Sequence, residues 1–95
     1  ETCELREEVW SRWLEHDPAR CAVDHADQLA ALAGLWIDAG SRDQYFIHYG
    51  TRQLHGQLTR CGVDHFHAEF DGTHSGIDWR YDHSLPWLVE RLKLD

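Results

Sequence analysis

The sequence predicts an α/β fold in which two parallel strands are flanked by helices, and three observations carry that expectation. Two short apolar stretches, Leu35, Trp36 and Ile37 and then Phe66, Ala68 and Phe70, have strand character. A helix-length segment with apolar residues on one side separates them. Parallel strands need a crossover of about a dozen residues or more, and this segment is long enough to supply one through a right-handed connection.

From residue 4 to residue 16, Leu5, Val9, Trp10, Trp13 and Leu14 fall on one helical face. Asp17 and Pro18 then end that helix and start another, the Asp as N-cap and the Pro at the first helical position. Residues 19–32 are Ala-rich, but the Cys, Val and Asp among them split the segment into two short helical pieces, closed by Gly34. Leu35, Trp36 and Ile37 form a continuous apolar run, the pattern of a strand covered on both faces. After the polar turn Gly40, Ser41, Arg42 and Asp43, a helix is predicted over 44–60, with Ile47, Leu54 and Leu58 on its apolar side and Gly62 as its stop. Gly50 and Gly56 weaken that helix and imply close packing. In the second strand Phe66, Ala68 and Phe70 alternate with His65, His67 and Glu69, giving one wetter face near a sheet edge. A long polar loop over 71–83 leads to a last helix over 84–92. Ser84 is its expected cap, Pro86 lies in its first turn, and Leu85, Leu88, Val89 and Leu92 face inward.

At 95 residues the chain makes one domain at most. With 42% hydrophobic and 27% charged residues it reads as globular. No apolar run approaches the roughly 20 residues that span a bilayer, and no membrane partner is expected. A net charge of −8 argues against a nucleic-acid partner, which demands clustered Lys and Arg. There is no methionine and no signal-peptide pattern at residue 1, so a longer parent with a segment upstream is expected. Cys3, Cys21 and Cys61 lack close spacing and read as isolated, buried thiols. They leave the compartment open.

Asp43 and His74 are the candidate site. Each lies in a turn just beyond a strand, where reactive groups of open α/β sheets collect. There an acid can accept from an imidazole Nδ1–H and fix its tautomer, as in a triad ordered Ser, Asp, His. Taken singly, Asp43 also suits a helix N-cap and His74 a solvated loop. Gly72 and Gly76 around His74 allow the tight, exposed turn that a general base needs. His65 and His67 share a strand face and His48 and His55 share a helix, yet nothing in the spacing brings in a third ligand, so neither a metal nor another cofactor is expected. Trp79 is a candidate to line a pocket or meet a partner.

Beyond these local readings, the chain resembles the C-terminal third of an α/β-hydrolase. It is most similar to the esterase group that includes enterochelin-esterase-like and S-formylglutathione-hydrolase-like enzymes. The residues that carry the resemblance are the run Asp38, Ala39, Gly40, Ser41, Arg42, Asp43, Gln44, Tyr45, then Cys61, Gly62, Val63, Asp64, His65. Phe70, Asp71, Gly72, Thr73, His74, Ser75 and the tail Tyr81, Asp82, His83, Ser84, Leu85, Pro86 complete it. Val9, Trp10, Ser11, Arg12, Trp13 with His16, Asp17, Pro18 resemble the helical segment before the seventh strand. The resemblance implies a partial domain over 1–95, the end of a three-layer sandwich, with Asp43 as triad acid and His74 as triad base. It implies a small-molecule ester as substrate. The family's Gly-x-Ser-x-Gly elbow is missing: Ser11, Ser41, Ser75 and Ser84 all fail the pattern, and the oxyanion-hole loop is missing too. By itself the segment is therefore expected to be inactive. Two other readings stay open. One is a non-catalytic interaction domain, forming homo-oligomers through an exposed apolar face; the other is a histidine-based metal-binding module.

Overall fold

In the computed structural model, which describes residues 4–93, the two apolar runs pair as parallel strands. Strand β1 (Trp36–Gly40) and strand β2 (Phe66–Phe70) lie in register from Trp36 opposite Phe66 to Gly40 opposite Phe70. Helix α4 (Ile47–Arg60) connects them and packs on β1. The strand alternation sends Ile37, with Leu35, towards α4, where they meet Leu54 and the buried Leu58, Val63 and Ala22. Helix α2 (Pro18–Asp24) lies on α4, with α3 (Ala26–Ala30) following it. On the other face Trp36 and Phe66 stack at 4.1 Å, and Trp87 of α5 (Tyr81–Leu92) meets the Trp36 ring edge-on. The α/β class with helices on both faces of a parallel sheet is thus present.

Local chemistry explains most element ends. Asp17 Oδ1 accepts from the Ala19 N–H at 3.0 Å and Pro18 opens α2, so the predicted N-cap is formed. The Ala-rich segment does break in two, at His25. Gly62 takes φ +72° after α4. The Val63 N–H then donates to the Leu58 carbonyl and Gly62 to Thr59, the Schellman closure that a left-handed residue permits.

Several expectations need correction. Helix α1 (Glu7–Leu14) is shorter than 4–16 and buries none of its residues; Trp13 is 68% exposed. Strand β1 runs on to Gly40, because Ser41 N–H still finds the Phe70 carbonyl at 2.8 Å. Helix α4 starts at Ile47, not at residue 44, since Asp43 holds the intervening residues in a turn and Phe46 adopts a left-handed φ of 61°. Ile47 is consequently exposed. The loop 71–83 contains a 3-10 turn (Asp78–Arg80) that runs directly into α5, which begins at Tyr81. Ser84 is therefore a buried residue inside α5, not its cap, and Pro86 sits in its interior. The inward face of α5 is the one carrying Ser84, Trp87 and Leu88, which leaves Leu85, Val89 and Leu92 exposed. Cys21 is half-buried and its thiol donates to the Glu15 carbonyl, but Cys61, at the open end of α4, is exposed rather than buried. Cys3 lies outside the described residues.

With principal extents of 57 × 33 × 17 Å and a radius of gyration of 15.9 Å, the chain is elongated. A compact domain of about 100 residues would be close to 13 Å.

Candidate functional site

The site grows out of the two loops that leave the carboxyl ends of β1 and β2. They are zipped together: Ser41 N–H donates to the Phe70 carbonyl, and Arg42 N–H donates to the Gly72 carbonyl at 2.9 Å. The Arg42 guanidinium bonds the Asp71 carboxylate at 2.8 Å, an exposed pair that adds little energy but agrees with the register. Gly40 makes this closeness possible. A Cβ there would stand 2.3 Å from the Gly72 oxygen and 2.7 Å from the Thr73 oxygen, well inside any tolerable contact.

Within this frame Asp43 and His74, 31 positions apart in sequence, come together: His74 Nδ1 lies 3.0 Å from Asp43 Oδ2. The carboxylate oxygen can only accept from the ring, so this contact places a proton on Nδ1 and leaves Nε2 bare as a base. The second oxygen, Oδ1, accepts from the Tyr45 N–H at 2.7 Å, and the Asp43 carbonyl accepts from the Phe46 N–H. Asp43 therefore closes its own turn with one oxygen and orients His74 with the other. Asp43 is thus not the N-cap of α4, which is Phe46; the turn it closes precedes the helix.

The environments of the two groups differ. Asp43 is 5% exposed, whereas the His74 side chain is 47% exposed. Burial alone would push the Asp43 carboxyl up. The His74 hydrogen bond, the Tyr45 N–H, the charge His74 can carry and the Ile47 N–H together outweigh it and hold the carboxyl below its ordinary value. The acid thus stays ionised at neutral pH while the base faces solvent.

Two further residues position the histidine. The Gln44 side-chain oxygen accepts from the His74 backbone N–H at 3.2 Å, and the Tyr45 ring meets the imidazole edge-on at 4.8 Å. Nothing local marks this role, because their partner is some thirty residues away; their signals in the sequence are adjacency to Asp43 and membership of the run that carries the resemblance.

Trp79 is placed elsewhere: its ring contacts are Phe70 and His83. Beside it Arg80, inside the 3-10 turn, pairs with Asp38 at 2.8 Å and lies over the Phe70 and Trp79 rings, with Trp36 Nε1–H also donating to Asp38. This hub holds the second loop's far end against β1. No local pattern announces a pair 42 residues apart.

Among the described residues no serine bonds to His74, and no group of three or more His, Cys, Asp or Glu side chains is arranged to hold a metal ion. No described helix is long and apolar enough to cross a membrane. Compared with family models, curated proteins and solved structures, the chain matches none of them.

Proposed function

We propose that this chain is the portion of a serine esterase that supplies the triad acid and base, Asp43 and His74, the nucleophile coming from sequence outside it. The single observation that carries the reading is the 3.0 Å Nδ1–Oδ2 contact between a buried carboxylate and an exposed imidazole, on consecutive loops at the carboxyl ends of parallel strands. In such a machine a serine attacks the ester carbonyl, and His74 Nε2 takes its proton and later returns one to the leaving alcohol. Asp43 stabilises the imidazolium and keeps the ring turned. The resemblance to the C-terminal third of an α/β-hydrolase supports this, as does a sheet that has two strands among the described residues, with much apolar surface exposed.

The test has two arms. In the chain itself, the His74 Nδ1 proton should resonate far downfield by NMR and vanish in Asp43→Asn. In a longer protein with the upstream sequence joined, a fluorophosphonate should label one serine, and Asp43→Asn should lower kcat for a simple acyl ester by roughly 10⁴. No labelling of the joined protein sinks the reading.

A second reading is favoured by a different observation. Leu5 just before α1, Trp10 and Trp13 on α1, and Leu85, Val89 and Leu92 on α5 are all exposed. Apolar faces of this kind suit a non-catalytic interaction domain that assembles with copies of itself. A homogeneous oligomer at low micromolar concentration, together with no serine labelling, would select it.

A further inference from the structure

Opposite the aromatic face of the sheet, the seam between α4 and β2 is built almost wholly from ionisable side chains. The alternation that turns Phe66 and Phe70 one way turns His65, His67 and Glu69 towards α4. From α4 come His48, Arg52 and His55, spaced four and three apart on one helical side, with Tyr49 beside Arg52. Arg52 bonds both oxygens of Glu69, Nη2 to Oε1 at 2.7 Å and Nε to Oε2. Among the described residues the seam's one carboxylate is thereby already taken.

Proton placement among the histidines follows from their partners. His65 Nδ1 is 2.8 Å from the Val63 carbonyl, which can only accept, so Nδ1 carries hydrogen. His65 Nε2 is then a bare acceptor, and His55 Nδ1, 2.7 Å away, must donate to it. This pair tolerates one extra proton, on His55, but a second on His65 Nε2 would set N–H against N–H. His67 stacks on the His55 ring at 4.4 Å, and its Nε2 is buried with no partner. His48, 5% exposed, has its Nδ1 in the same condition. An imidazole buried without an acceptor has nothing to stabilise its cation.

We propose that the α4–β2 seam is a proton-operated latch: with its histidines neutral it holds helix to strand, and acidification parts them by forcing protons onto nitrogens with no acceptor, at His48 and His67, and by setting N–H against N–H between His55 and His65. Supporting this, burial first, and then the charge of His55, hold the His67 imidazole below its ordinary value; Glu69 opposes this, and His65 and Arg52 add to the lowering. The sign follows. A histidine depressed in the folded state contributes stability that is complete above its unfolded value of about 6.5 and is lost as pH falls from there through the folded value. The consequence reaches both loops, since the Asp43 turn enters α4 and β2 leads out to His74. The latch itself rests on the seam alone, not on the catalytic reading.

The experiment is urea unfolding of the chain from pH 7.5 to 5.5, with histidine ring titration by NMR. One proton excluded from a single ring lowers the folding equilibrium about tenfold one pH unit below the unfolded value. The unaltered chain should lose at least that much. His67→Phe should recover about tenfold of the slope, with His67→Gln as a second variant should the first not fold. His25→Gln, an exposed histidine between α2 and α3, should leave the slope unchanged. A change of less than twofold between the two pH values overturns the latch. So does a His67 ring that titrates at the ordinary value, or a slope that persists in both His67 variants.

Discussion

Replacing Gly40 by alanine tests the closeness on which the Asp43–His74 geometry depends. The added methyl would stand 2.3 Å from the Gly72 oxygen, 2.7 Å from the Gly72 carbon and 2.7 Å from the Thr73 oxygen. All are backbone atoms, so no rotamer change can relieve the clash, and the two loops must separate by about 1 Å to restore ordinary contact. Separation on that scale stretches the Ser41–Phe70 and Arg42–Gly72 hydrogen bonds beyond range. Each is worth about 1 kcal/mol. With about 1–3 kcal/mol of overpacking strain, the expected loss lies near 3–5 kcal/mol. Urea unfolding gives the loss, and the downfield His74 Nδ1 proton reports whether the pair survives. Gly50→Ala is the contrast. It lies inside α4 with nothing within 4 Å of the new methyl, and should stabilise by about 0.5–1 kcal/mol. Should Gly40→Ala cost under about 0.5 kcal/mol and keep the downfield proton, the account of the zipped loops is wrong.

Three more outcomes are expected. Because the Asp43 carboxyl is depressed below 3.8, it contributes stability present above that pH and lost as pH falls through its folded value; an acid titration of Asp43→Asn should lack this phase. Arg80→Ala removes the partner of Asp38 and a cation packed on Phe70 and Trp79, and should cost about 2–4 kcal/mol in chemical denaturation. A smaller cost for Asp38→Ala than for Asp38→Asn would contradict the hydrogen-bonded hub. Gly62→Ala forces a side chain into φ +72° and should cost about 1 kcal/mol, read from the urea midpoint.

Legibility varied with the range of the interaction that fixes each feature. The Asp17–Pro18 start, the Gly62 stop, the division of the Ala-rich segment and the alternation of β2 are set by residues within a turn of one another and are legible in the sequence. The wetter face expected of β2 is not: His65, His67 and Glu69 are half-buried against α4 while Phe66 is exposed. The start of α4 is not legible in the sequence because the Asp43 side chain outcompetes helix propensity over the next three residues. The start of α5 is not legible either, because the Arg80–Asp38 pair and its surrounding rings hold an early turn that Pro86 argues against.

What the sequence by itself determined is the order and type of the elements, and that an acid and a histidine follow consecutive strands. Those facts depend on local propensity and periodicity, which neighbouring residues encode. Only the tertiary structure decided that Asp43 and His74 meet at 3.0 Å, that Gln44 and Tyr45 hold the imidazole, and that Gly40 lets the loops close. It also decided that four histidines share one seam with Arg52 and Glu69. Each of these joins side chains from separate elements, and their distance is fixed by strand register and helix packing, quantities no stretch of sequence carries alone.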